Sequence, residues 1–150
     1  MANLQDVSAA LRKYHTSYRN PSLPKLELSG LYALFPSASD RPACKVEKSW
    51  PDYWPDVDDP GVYFIFDHSL DLLYVGKAAI LGRRLSEWFQ YNDSGDCKVI
   101  GTWSRRPEYV ATVRVSAAFE ASSLEEFLIS DLSPSDNIAG KPESKVVPPR

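Results

Sequence analysis

Residues 61–76 read GVYFIF, DHSLD, LLYVG, and no other stretch constrains the fold as strongly. The outer blocks are rich in β-branched, aromatic and apolar residues, a composition that suits a pleated, packed surface. The middle block carries two aspartates and a serine, whose side chains favour turns by bonding the nearby backbone. Two short strands separated by about five turn residues make a β-hairpin, with strands at 61–66 and 72–76.

The next segment, KAAILGRRLSEWFQY, places Ile80, Leu81, Leu85, Trp88 and Phe89 at helical spacing, which predicts a helix near 79–90. Gly82 weakens that helix close to its start. NDSGD reads as a loop. YVATVRV, residues 109–115, alternates like a strand, and SAAFEASSLEEFLISDL repeats apolar residues at Phe119, Leu124, Phe127, Leu128 and Leu132, an amphipathic helix over 118–132 that Pro134 stops. The order strand, strand, helix, strand, helix predicts an α/β (α+β) domain over residues 61–140, with a small three-stranded antiparallel sheet flanked by helices.

Residues 1–60 read as an irregular N-terminal extension: a helix near 3–18, then a loop punctuated by Pro21, Pro24, Pro36, Pro42, Pro51, Pro55 and Pro60. This loop carries Trp50, Tyr53 and Trp54. Those rings can plug the segment onto the core or offer a stacking surface to a nucleic-acid base. The last ten residues, KPESKVVPPR, read as a flexible tail.

Composition narrows the function classes. Two cysteines, Cys44 and Cys97, exclude a four-cysteine zinc site and a disulfide framework. No run approaches the roughly 18 apolar residues of a membrane span, and the first residues lack the apolar core of a signal peptide, so a cytoplasmic protein with no membrane partner is expected. The net charge is −3. Residues 59–140 hold seven basic and twelve acidic side chains, so no broad basic face for non-specific nucleic-acid binding is implied.

The polar residues on these elements form an ordered series. GVY at 61–63 and YVG at 74–76 resemble the two halves of the GIY-YIG signature, with valine in place of each isoleucine. YVGKA followed by GRRLSEWF resembles the segment that carries the family's helical arginine, here Arg84. EASSLEEFLISDLSPSDN resembles its glutamate helix, with Glu125 at the metal-binding position and Asn137 at the terminal asparagine. The likeness covers residues 61–137 and is greatest to the incision-domain branch found in bacterial excision-repair endonucleases. One departure is Trp88, where many relatives carry histidine one turn after the arginine.

The resemblance implies a phosphodiesterase with DNA as partner and Mg²⁺ or Mn²⁺ as cofactor. Glu125 would be the direct metal ligand, since magnesium keeps most of its waters and one carboxylate can suffice. Arg84 would brace the phosphate with its planar donor fork. Tyr63 would be the base, Tyr74 would position phosphate or water, and Lys77 would favour the phenolate. Asn137 would hold its neighbours through its amide. From the residues themselves, Arg105 and Arg106, with Trp103 beside them, form the best candidate DNA-contacting loop, and a solvated loop is the alternative. His68, in the hairpin turn, is read as exposed and outside the catalytic set. Glu126 points about 100° away from Glu125 around the helix.

Three functions fit. The first is a metal-dependent DNA endonuclease of the repair, restriction, mobile-element or defence kind. The second is a degenerate nuclease fold acting as a binding or regulatory module, which the acidic charge favours. The third is a toxin or effector nuclease whose residues 1–60 engage a partner.

Overall fold

A computed structural model of the chain describes residues 1–36 and 46–137. Cys44, Pro42, the last residues of the 61–140 domain and the tail expected at 141–150 lie outside the described residues. The hairpin forms as β3 (Gly61–Phe66) and β4 (Leu72–Ala78), paired antiparallel with Tyr63 opposite Gly76 and Ile65 opposite Tyr74. Asp67 makes the turn: its Oδ1 accepts the backbone N–H groups of Ser69 and Asp71, each at 2.9 Å. An extra residue at Leu73 bulges β4, so Leu72 faces one side of the sheet while Leu73 and Tyr74 face the other.

β3 is buried along its whole length because both of its faces and both of its edges are covered. Its second edge pairs antiparallel with β7 (Tyr109–Arg114). Beyond β7 lie β1 (Leu31–Ala33), antiparallel to it, and β2 (Val46–Ser49), parallel to β1. The sheet is therefore mixed and five-stranded, in the order β2-β1-β7-β3-β4. This corrects the expected three-stranded antiparallel sheet and the expected irregularity of the extension. Strands of three and four residues next to prolines carry too little periodicity to be read from sequence.

The sheet separates two cores. On one face Val62, Phe64 and Phe66 meet α1 (Leu4–Tyr18) and α3 (Ala118–Leu132). The α1 stripe is Val7, Ala10, Leu11 and Tyr14, and the helix opens on a capping box between Asn3 and Asp6. Ala121, Leu124, Leu128 and Leu132 form the buried stripe of α3. Phe119, expected on that stripe, is 82% exposed, since it lies about 160° around the helix from Ala121. On the other face Tyr63 and Ile65 meet Tyr32, Trp50, Trp54 and α2 (Leu81–Trp88).

Helix α2 is shorter than the expected 79–90. Phe89–Tyr91 leaves the helix as β5 and pairs with β6 (Cys97–Val99), forming a small second hairpin. Its turn is set by Asn92, whose Oδ1 accepts the N–H groups of Ser94 and Asp96. Gly82 is a packing requirement rather than a defect. Its N–H donates to the Val57 carbonyl at 2.8 Å, and a Cβ there would overlap Val57.

Candidate active site

The α2-facing side of the β3–β4 hairpin places two phenols together. The rings of Tyr63 and Tyr74 lie 6.2 Å apart at 30°. Tyr63 lies across Gly76 of the neighbouring strand, and a Cβ at that glycine would overlap the phenol. The glycine of the YVG segment therefore makes room for the tyrosine of the GVY segment. Tyr63 is 2% exposed, and its hydroxyl accepts the Trp88 indole N–H at 2.8 Å. Tyr74 is also buried, edge-to-face with Trp88 and Trp103, with ring centroids 5.6 and 5.8 Å away.

Three charged side chains surround this pair. Glu125, on α3, is half-buried and accepts a hydrogen bond from the Lys77 backbone. Arg84, on α2, lies within electrostatic reach of both tyrosines and of Glu125. Lys77, at the exposed end of β4, donates its Nζ to Ser122 Oγ at 3.0 Å. Burial pushes the Tyr63 phenol far above its ordinary value, the Tyr74 ring adds to the rise, and the Trp88 N–H and Arg84 oppose it. Burial raises Tyr74 to about 12, with Glu125 adding and Arg84 opposing. The Glu125 carboxyl is also raised, first by burial, against the lowering effects of Lys77 and Arg84. Arg84 thus opposes the rise of both phenols, and Lys77 and Arg84 oppose that of Glu125.

Asn137 sits behind the site. After α3, residues 135–137 run along the open edge of β4, and the Asn137 amide pairs with both backbone groups of Val75, accepting at 2.8 Å and donating at 2.9 Å. It fixes the residue next to Tyr74. The neighbouring Asp136, which sequence reasoning passed over, is buried and accepts the N–H and the hydroxyl of Ser104, anchoring the loop that carries Trp103. Sequence reasoning also missed Glu87, whose Oε2 lies 3.8 Å from Arg84, and the donor role of Trp88. The only signal for either was helical spacing from Arg84.

The loop residues Trp103, Arg105 and Arg106 separate. Trp103 joins the aromatic cluster, 5.0 Å from Trp88, and donates its indole N–H to the Ile100 carbonyl. Arg105 pairs with Asp67 at 2.7 Å, and Arg106 pairs with Glu108 at 2.6 Å while lying over the Phe35 ring. His68 lies 3.6 Å from the same Glu108. Among the described residues no group of three or more histidine, cysteine, aspartate or glutamate side chains gathers to cage a metal. The donor set beside the phenols is one partly desolvated carboxylate. Such a hard, all-oxygen set suits a cation that keeps most of its own waters, as magnesium and manganese do, and does not suit a zinc cage.

Comparison with known proteins places this geometry in a family. A family model described as the UvrC-like GIY-YIG domain matches residues 59–138. The UvrABC system protein C of Neisseria gonorrhoeae is 40% identical over 79 residues, which is 53% of this chain and 12% of that protein. The protein of the same name from Neisseria meningitidis serogroup B has the same identity and coverage. That of Pseudomonas syringae pv. tomato is 38% identical over 79 residues, covering 53% of this chain and 13% of the relative. The chain thus spans about an eighth of the length of these relatives. No solved structure matches it significantly. The matched residues carry both strands of the tyrosine hairpin, the Arg84 helix and the Glu125 helix, and the chain belongs to the UvrC-like GIY-YIG family.

Proposed function

We propose that the chain is a divalent-metal-dependent DNA endonuclease, with residues 61–140 as the nuclease domain and residues 1–60 as an extension folded onto it. The observation that carries this reading is the convergence of two stacked phenols, one arginine and one half-buried carboxylate on one side of the hairpin. The family match over this segment, with relatives named UvrABC system protein C, supports the nuclease reading, and the resemblance of residues 61–137 to bacterial excision-repair endonucleases supports DNA as the substrate and repair as the setting.

Glu125 would hold Mg²⁺ or Mn²⁺, and the ion supplies Lewis-acid polarisation of the phosphate and a more acidic water. Arg84 binds the phosphate and stabilises the charge that grows on it. Tyr63 takes the proton of the attacking water. Burial keeps this phenol neutral at rest, so its own proton must first leave to solvent; Arg84 and the indole N–H of Trp88 favour the resulting phenolate, which returns to the neutral phenol on accepting the water's proton. An indole N–H donates only, so it steadies the phenolate and takes no proton itself. Tyr74 positions phosphate or water beside Tyr63. Lys77 holds Glu125 ionised against its burial, and Asn137 fixes the β4 backbone next to Tyr74. Trp103, beside these rings, contributes a stacking edge for DNA, and Arg105 and Arg106 would reach phosphate only by leaving Asp67 and Glu108.

The test pairs plasmid nicking in Mg²⁺ or Mn²⁺ with DNA binding in chelator. Glu125→Gln is expected to abolish nicking and leave binding nearly unchanged. Arg84→Ala is expected to lower both. An active Glu125→Gln protein rejects the single-ligand assignment. The second reading, a degenerate module that binds without cutting, is favoured by the net charge of −3 and by the ion pairs that occupy Arg105 and Arg106. Wild-type protein that binds DNA and never nicks it would select that reading.

A further inference from the structure

The aromatic residues of the 50–54 stretch are only partly used by the core. Trp50 and Trp54 are buried, and their indole N–H groups donate to the Gly95 carbonyl and to Ser86 Oγ, each at 3.0 Å. Tyr53 is 82% exposed, and Tyr91 on β5 is 63% exposed. These two rings line a groove of about 570 Å³ between the 50–57 segment and α2–β5. Trp50, Trp54 and Phe89 also line it, against a single branched aliphatic side chain, Val57. Tyr53 borders a second hollow of about 390 Å³ as well, so both sides of this residue are open to a ligand. Each hollow has one cation: Arg83 lines the first and Lys48 the second. The one carboxylate shared by the two, that of Asp52, accepts the Ser49 N–H at 2.9 Å.

The groove and the candidate active site lie on adjoining faces of α2. Arg84 faces the tyrosine pair, whereas Arg83, about 100° around the helix, faces the groove. Phe89 lies against Trp54, whereas Trp88 lies against Tyr74. Exposed aromatic rings beside one cation in each hollow match the chemistry of unpaired nucleotides, whose bases stack and whose phosphates pair with cations. Bases in a duplex have their faces covered and cannot enter. We propose that this groove binds a single-stranded stretch of DNA, with bases stacked on Tyr53 and Tyr91 and phosphates at Arg83 and Lys48. The assignment rests on the nuclease reading for its biological sense, and not for its chemistry. One wall of the groove, residues 50–57 with Tyr53, lies outside the matched residues 59–138, and the other, with Arg83 and Tyr91, lies within them.

The experiment measures metal-free binding of the full chain to fluorescent oligothymidylate and to a blunt duplex of equal length, alongside plasmid nicking in Mg²⁺. Tyr53→Ala and Tyr91→Ala are each expected to weaken oligothymidylate binding about tenfold, the usual worth of one base–aromatic stack. Tyr53→Phe and Tyr91→Phe are expected to bind like wild type, because stacking needs the ring and not the hydroxyl. Arg83→Ala is expected to flatten the salt dependence of binding. Duplex binding and nicking should stay at the wild-type level in Tyr53→Ala and Tyr91→Ala. Alanine variants that bind oligothymidylate normally, phenylalanine variants as weak as the alanine ones, or a wild type with no preference for the single strand would each overturn the groove. A wild type that nicks plasmid but binds oligothymidylate independently of the tyrosines rejects the groove alone. One that binds through the tyrosines and never nicks keeps the groove and rejects the nuclease.

Discussion

Gly76 and Trp88 decide what Tyr63 can do. The glycine leaves space for the phenol, and the indole gives its oxygen the one hydrogen bond a buried hydroxyl needs. Gly76→Ala is therefore expected to force the ring or the strand aside and to destabilise the protein by about 1–3 kcal/mol, the usual cost of overpacking. Urea denaturation measures it, and an unchanged midpoint would show that the ring yields freely. Trp88→Phe keeps an aromatic ring but removes the donor, so the Tyr63 phenol should titrate still higher, and the rising limb of any nicking pH profile, where the base must lose its proton, should move to higher pH. Glu125 obeys the opposite logic from a salt-bridged carboxylate. Its folded-state value is raised, so its contribution to stability is fully present below the ordinary carboxylate range and is lost as pH rises through the raised value. Glu125→Gln should remove that loss. In metal-free buffer the variant is expected to match or exceed wild-type stability at neutral pH, and the difference should vanish in acid.

Among the elements, β4 is the edge strand that must be held. Its open side is covered by residues 135–137 rather than by another strand, with Asp136 N–H donating to the Leu73 carbonyl and Asn137 pairing with Val75. Asn137→Ala removes two hydrogen bonds and is expected to cost about 1–3 kcal/mol. Hydrogen exchange at the Val75 amide should accelerate more than exchange at the β3 amides. Equal acceleration throughout the sheet would mean that the asparagine acts on global stability and not on this edge. An exposed position on α3 gives the contrast: Phe119→Ser is expected to stay within about 0.5 kcal/mol of wild type.

Across the described molecule, residues 1–36 and 46–58 contribute to the same cores as the family segment. Helix α1 covers the α3 side of the sheet, and Trp50 and Trp54 cover the α2 side. Arg19 locks α1 to α3 through Glu120, at 2.6 and 3.0 Å, with side chains only 3% and 13% exposed. Removing one partner leaves the other charge buried, so Arg19→Ala is expected to cost about 3–5 kcal/mol by chemical denaturation. A small loss there would mean that Glu120 readily reaches water. No helix among the described residues is long and apolar enough to cross a membrane.

The sequence by itself determined the local elements. The β3–β4 hairpin, β7, α3 and most of α2 were legible because each is long enough to show its own period, and the order of Tyr63, Tyr74, Arg84, Glu125 and Asn137 along them carried the family. Only the tertiary structure decided the rest. β1 and β2 are too short to show a period; β1 exists because β7 offers it an edge, and β2 because β1 does. Arg105 and Arg106 look like free cations in sequence, yet the fold brings them to Asp67 and Glu108. The hydrogen bond from Trp88 to Tyr63, the carboxylate of Glu125 beside Lys77, and the groove between Tyr53 and Tyr91 all join residues far apart in the chain. Periodicity reports which way a side chain points from its own backbone, and only packing brings it a partner from another element.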